Sequence, residues 1–353
     1  MGTADPIRGF LCAFSNDGDG GILTFEQDAG TGQLTETARR IVDGAAFLAL
    51  SPDGRHLYSV NRIDGGVVIA YEINGVDGHL TEINRTSSEG AGPAYISVDA
   101  AGEYAFVANY AGGTVGMYPI RDDGGIGPAS DVKEHTGSSV DPDRQDAPHP
   151  HSIGPGPNDE YVYAPDLGTD EVWIYGIDRA DDRLGRVSEP TARVHDGAGP
   201  RHFAFHPELP VAYVINELDS TMTVFDYAAE SGALTEKARI DTLPDEYDEE
   251  SYCADVHVHP NGEYVYGTNR GHDSIVVFSV DPVDGTLTTV EHIDTGGHWP
   301  RNFAIDPTGA YLYAENRRTN NVVTFAIDVD TGRLRQLESG FEVPEPICLA
   351  FHS

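Results

Sequence analysis

The sequence predicts an all-β fold: a seven-bladed β-propeller of four-stranded antiparallel blades, one domain over residues 1–353, its last blade closed by the N- and C-terminal strands. Three observations carry this expectation. First, a β-rich unit repeats, with turn anchors at Pro52, Ala100, Pro157, Pro207, Pro260 and Pro307, separated by 48, 57, 50, 53 and 47 residues. Such units recurring at roughly 40–50 residues mark one four-stranded sheet per blade. Second, seven residues end a second strand: Asn16, Asn61, Asn109, Asp166, Asn216, Asn269 and Asn316. In six of them an aromatic follows nine positions later, and in the seventh Tyr71 follows ten later. Third, the chain ends in "ICLAFHS", which matches the inner-strand pattern of "RHFAFHP".

The elements follow in order. The first unit has no inner strand of its own before Leu11, so it needs one from elsewhere. The second, "ALSPDGRHLYSVNRIDGGVVIAYEINGVDGHLT", contains every part: a short strand, a Pro-x-Gly turn, a strand ending in Asn, a loop, an alternating strand, a Gly turn and a fourth strand. Successive side chains of a strand point to opposite faces of its sheet, and Gly supplies the turn conformations. The unit anchored at Pro157 follows an insertion, which explains the 57-residue spacing. "HVHPNGEYVYGTNRGHDSIVVFSVDPVDGTLT" and "AIDPTGAYLYAENRRTNNVVTFAIDVDTGRLR" repeat the plan. The C-terminal strand then completes the blade begun by the N-terminus, removing the open edges of a linear array.

Composition narrows the function. Asp and Glu total 58 against 22 Lys and Arg, a formal charge of −36, and Lys133 and Lys237 are the two lysines. A field of that sign repels nucleic acid and anionic membranes, so neither is an expected partner. Dispersed acidity with scarce lysine resembles proteins of salt-loving microbes. No apolar run is long enough for a transmembrane helix, and "MGTADPIRGFLCAF" lacks the pattern of a secretory signal. Pro6 argues against myristoylation. Cys12, Cys253 and Cys348 are few and scattered, which suits a reducing cytoplasm and no disulfide framework. A monomer or weak homo-oligomer is expected.

Propeller geometry separates scaffold from site. Strands alternate in direction outward from the channel, so the loop into strand one and the loop out of strand two open on one face, and the Pro-x-Gly turns on the other. Six residues before each anchor stand Ala46, Ala94, His151, Arg201, Ala254 and Arg301, with Ile347 in the closing strand. After the strand-two Asn or Asp come Asp17, Arg62, Tyr110, Leu167, Glu217, Arg270 and Arg317. His151, Arg201, Glu217, Arg270 and Arg301 are expected to converge, with His149, His202, Asp166, Asn109 and Arg62 near them. Arginines facing one channel repel each other, so a carboxylate or bound anion should sit among them.

Scaffold roles compete for several of these residues. The repeated Asn suits local backbone hydrogen bonding at a strand end. His206, His257 and His259 suit turn carbonyls, and Arg317 suits a solvated loop. His149 and His151, two apart, point the same way from a strand and with Glu217 or Asp166 form a conceivable metal set, but the neighbouring arginines oppose a cation. No metal or cofactor is expected. A Ser-His-Asp triad would lack its G-x-S-x-G elbow, and nucleotide chemistry its phosphate-cradling Gly loop.

"DPDRQDAPHPHSIGPGPNDEYVYAPDLGTDEVWIY", "GAGPRHFAFHPELPVAYVINE", "YGTNRGHDSI" and "GGHWPRNFAIDPTGAYLYAEN" resemble the seven-bladed propeller lactonases, the family of bacterial 6-phosphogluconolactonases and fungal carboxy-muconate lactonising enzymes. The resemblance spans about residues 8 to 351. It implies hydrolysis or formation of a lactone on a small anionic sugar acid or dicarboxylate. By motif it places catalytic roles on His149 or His151, Arg201, Glu217 and Arg270, the bulk of the geometric argument favouring His151. It adds Arg144 and Gln145 to substrate binding, alongside His149, Arg301, His202, Asp166 and Asn109. For a hydrolase, Glu217 or His151 is the expected general base and Arg201 or Arg270 the oxyanion holder. A cycloisomerase would use the same groups, and a scaffold would leave the channel mouth ordinary.

Overall fold

The computed structural model describes residues 7–14, 20–185, 187–188 and 190–352; the sequence anchors Asn16 and Asp17, and Pro6, lie outside them. Seven antiparallel sheets form the ring, and among the described residues there is no helix. Blade 1 comprises Ala45–Leu50, His56–Asn61, Val67–Ile73 and Leu80–Ser87. Blade 2 runs from Pro93–Val98 to Asp131–Glu134, and blade 3 from Gly154–Pro155 through Tyr161–Asp166 and Glu171–Asp178 to a split outer edge. Blades 4, 5 and 6 begin at Pro200–Phe205, Tyr252–Val258 and Pro300–Ile305. Blade 7 places Pro346–Phe351 beside Ile7–Ala13, in register Cys12 to Cys348 and Leu11 to Leu349. Both termini thus share one sheet, and the ring has no open seam.

The repeated residues are the mortar between blades. Tyr58, Tyr163, Tyr213, Tyr266 and Tyr313 each donate a hydroxyl hydrogen bond to a glycine carbonyl of the next blade's hairpin: Gly124, Gly232, Gly285, Gly332 and Gly32, at 2.7–3.0 Å. Those glycines hold φ between 69° and 76°, and a Cβ on Gly32 would lie 2.4 Å from the Tyr311 ring, so no larger residue fits. His206 and His259 likewise donate to Gly262 and Gly309 of the following blade, at 2.8 and 2.9 Å. His257 does not reach a turn carbonyl. It sits 3.0 Å from Asp255, because two residues along a strand its ring returns to the same sheet face as that carboxylate.

Candidate active site

The position six residues before each turn anchor is where strand one is bulged. Register shifts skip Ala46, Ala94, Arg201, Arg301 and Ile347 in their blades, and Ala254 with Asp255 in blade 5. In blade 3, Pro150 faces Asp166 while Gly154 faces Tyr163, so His151 also lies in an excess segment. A bulge leaves a residue out of the ladder and re-aims its side chain. Repeated around the ring, it turns one residue per blade toward the channel mouth, where some blades carry Ala and others His or Arg.

The insertion before blade 3 is pinned by two buried carboxylates. Asp166 accepts from His135 Nδ1 at 2.6 Å and from the His149 and Gly168 amides at 2.7 and 2.9 Å. Asp170 accepts from Gln145 Nε2, Gly197 N and Gly199 N, each at 2.7 Å, and from the Ser139 hydroxyl. Asp170 therefore fixes both the loop that carries Arg144 and the "GAGPRH" loop that carries Arg201. Gln145 is fully buried, with its amide on Asp170 and Leu167. Asn109 spends its amide on Ser88 and Thr114. These three sequence candidates, Asp166, Gln145 and Asn109, build the loops behind the mouth.

Glu217 is the hub. Its Oε1 lies 2.6 Å from Arg144, and its Oε2 lies 2.7 Å from Arg270 and 3.1 Å from Arg201. Burial pushes its carboxyl up, but Arg270, Arg201 and Arg144 outweigh burial and hold it well below the usual carboxylate range. Arg201 also donates to the Ala254 carbonyl and Arg270 to the Cys253 carbonyl. Burial and Arg270 lower the Arg201 pKa to about 10. Arg301 is half-buried and has no carboxylate partner among the described residues; burial, then Arg201, Arg270, Arg62 and Arg317, push its pKa well down. Arg62 donates to the Pro93 carbonyl at 3.1 Å, and Arg317 pairs with Glu345 at 2.6 Å rather than lying free in solvent.

His151 is 5% exposed, and its Nδ1 is buried without a hydrogen-bond partner. Burial, then Arg201 and His202, hold its pKa well below the ordinary imidazole value, so the ring is neutral. His202 stands edge-on at 5.3 Å. Its Nδ1 donates to Asp255 at 2.6 Å and its Nε2 accepts from Arg201 at 3.1 Å. Burial and Arg201 outweigh Asp255 and lower the His202 pKa to about 4. His149 stacks on Tyr110 at 4.6 Å and donates from Nδ1 to the Tyr110 carbonyl, at the rim rather than among the arginines. Asp170 and Asp255 were missed from the sequence: each acts on a neighbouring blade, and although Asp255 follows the mouth position of its blade as His202 does in the blade before, only closure brings the two together.

The whole chain has relatives with the same plan. It matches the family described as "Lactonase, 7-bladed beta-propeller" over residues 8–351. It is 36% identical over 346 residues to a 6-phosphogluconolactonase of Bacillus subtilis, covering 97% of each chain. It is 34% identical to one of Formosa agariphila, covering 81% of each. The periplasmic gluconolactonase of Pseudomonas aeruginosa superposes with a TM-score of 0.92 at 28% identity, covering 98% of this chain and 99% of that one.

This chain belongs to the seven-bladed β-propeller lactonase family.

It is accordingly a lactone hydrolase, and its channel mouth holds the groups such chemistry draws on. A neutral imidazole can accept a proton, and guanidinium groups can hold an oxyanion or a substrate anion. Among the lactonase's described residues, no group of three His, Cys, Asp or Glu side chains is arranged to hold a metal ion. A cleft of about 1250 Å³ on the outer edge of blade 3, against Tyr161, Arg179 and Arg183, includes none of the mouth residues.

Proposed function

We propose that the lactonase hydrolyses an anionic sugar-acid lactone of the 6-phosphogluconolactone type, with His151 as the general base. The observation that carries this reading is a neutral, buried imidazole beside arginines whose one shared carboxylate, Glu217, is already taken. Three guanidinium partners make Glu217 a poor base, so its role is to hold Arg144, Arg201 and Arg270 in position. His151 takes a proton from water as the water oxygen bonds to the lactone carbonyl carbon. Arg201 and Arg270 stabilise the oxyanion. The tetrahedral intermediate collapses, the ring C–O bond breaks, and His151 returns the proton to the departing alkoxide, leaving the free acid. Arg301 and Arg62 supply positive charge for the substrate's phosphate or carboxylate. That anion, once bound, reduces the positive potential on His151 and makes the imidazole more basic when it is needed.

The test is ring opening followed by acid release with 6-phosphogluconolactone, gluconolactone and carboxy-muconolactone, against the spontaneous rates. The phosphorylated sugar lactone should give the highest kcat/KM, and Arg301→Ala should narrow its advantage over gluconolactone. Ring opening no faster than the blank with all three would end this reading. Preference for the muconolactone would replace its substrate class.

A further inference from the structure

Just outside each bulge, two residues before the mouth position, the chain turns in from the preceding blade. In five blades this residue has positive φ: Gly44 at 65°, Gly92 at 63°, Gly199 at 65°, Trp299 at 68° and Glu345 at 35°. Glycine is the natural occupant, since a Cβ is penalised there. An aromatic residue in the left-handed region is an outlier, and the following Pro300 disfavours it further. The backbone is held there from both sides: Asp273 accepts from the Trp299 amide at 2.8 Å, and the Trp299 carbonyl accepts from the Arg317 amide at 3.1 Å. Strain that persists under such restraint points to a use for the side chain.

The indole does not fill the core. It is half-buried at the rim, where Glu217's ligand Arg270 has its guanidinium carbon 5.6 Å from the ring centroid and Tyr252 has its ring 6.3 Å away. Arg318 covers the ring at 3.5 Å and braces it. Beside the oxyanion-holding arginines the indole presents a broad, rigid apolar surface. A sugar lactone carries the matching surface, a ring face of C–H bonds polarised by the attached oxygens.

We propose that Trp299 is a specificity-determining residue whose indole is the platform on which the ring of a sugar lactone stacks, and that the left-handed backbone is kept in order to aim it. This rests on the sugar-lactone reading above.

The sequence holds two tryptophans, Trp173 and Trp299, and Trp173 stacks on His135, in the structure behind the mouth. In Trp173→Phe all indole emission therefore reports on Trp299. Titration with gluconate or 6-phosphogluconate should shift that emission, half-saturating at the concentration where the same acid half-inhibits lactonase activity. Trp299→Gly, which suits the backbone, should raise KM for the sugar lactone about tenfold, the worth of one lost ring contact, without lowering the melting temperature. Trp299→Phe should recover most of that loss. Silent emission while the acid still inhibits, or an unchanged KM in a folded Trp299→Gly, overturns the platform and leaves the lactonase reading intact. If the wild type opens no sugar lactone and the emission is silent, both fall. If it opens none yet the emission still shifts with the acids, the reaction alone is misassigned.

Discussion

Glu217→Gln changes one oxygen to an amide and tests the centre of the site. The carboxylate is 4% exposed and meets three guanidinium groups at 2.6, 2.7 and 3.1 Å. At an effective dielectric near 20, a pair of unit charges about 4 Å apart attracts by about 4 kcal/mol. Three such attractions offset the desolvation of the ions and the mutual repulsion of Arg201 and Arg270. Removing one member of a buried ionic network typically costs about 3–5 kcal/mol, because charges are left without compensation. For 353 residues, at an unfolding entropy of about 2.1 cal/mol/K per residue, that corresponds to a melting temperature lower by about 4–7 °C. The deficit is one of negative charge, so added phosphate should restore part of it in the variant and less in the wild type, by ordinary linkage. Activity should fall by about 10²–10³ in kcat, as for an enzyme whose oxyanion donor has lost its position. The pH dependence has a definite sign. Glu217 is held below its ordinary value of 4.5, so its contribution is complete above that value and is lost as pH falls through the lower folded value. The two melting curves should therefore stay apart at neutral pH and converge only in strong acid. Differential scanning calorimetry in a zwitterionic buffer, with and without phosphate, reads all of this. A variant that melts within about 1 °C of wild type, unaffected by phosphate and fully active, would refute the hub.

Three further outcomes follow from the same geometry. His151→Asn should lower kcat by about 10²–10⁴, the worth of a general base; a near-normal kcat would move the base elsewhere. Asp170→Ala should lower kcat/KM by about 10–100-fold through displaced Arg144 and Arg201 and should expose residues 135–149 to faster hydrogen exchange; unchanged exchange there would refute the staple. His202 has a folded pKa of about 4 against an ordinary 6.5, so the unfolded ring gains its proton first as pH falls, and its contribution to stability should drain away between those two values; His202→Gln should flatten that part of the stability–pH curve, and no flattening would mean that the ring is charged in the fold.

The architecture was legible because every blade repeats the same punctuation, and the closing strand announced itself by pattern. The mouth residues were legible for a reason that counting alone does not supply. Six residues before the anchor is the bulge, so a count along the chain tracked an orientation in space. Arg144 stands in an insertion with no counterpart in other blades, and family resemblance was the signal that reached it. Asp166 and Asn109 show the limit of position: both stand where the repeat places them, yet their polar atoms turn inward to carry loops. Asp170 and Asp255 are the reverse case. Each is one acid among 58 in the sequence, and what distinguishes it is the set of donors that a neighbouring blade brings to it. Pairing across blades is a property of closure, which no single repeat contains.

The charge of −36 and the arginine cluster pull an anionic substrate in opposite directions, and distance decides between them. Far from the protein the net charge dominates and repels the anion. At the mouth Arg62, Arg270 and Arg301 are nearest, while their acidic surroundings are spread over the whole surface. At about 10 mM salt the screening length is about 30 Å, so the approaching anion feels the whole negative surface; at about 1 M it is about 3 Å, and the surface is silenced. The mouth contacts are made at shorter range and partly out of water, where salt screens less. Raising ionic strength should therefore increase kcat/KM for the phosphorylated lactone before any decline sets in, the reverse of the usual loss for charged ligands meeting oppositely charged sites. The uncharged gluconolactone provides the control, since its encounter rate carries no such term. A stopped-flow or proton-release series in potassium chloride, with both substrates, measures the difference. If kcat/KM for the phosphorylated lactone falls steadily from the lowest salt, the arginine cluster reaches further than its depth in the channel allows, and the surface charge has no part in admission.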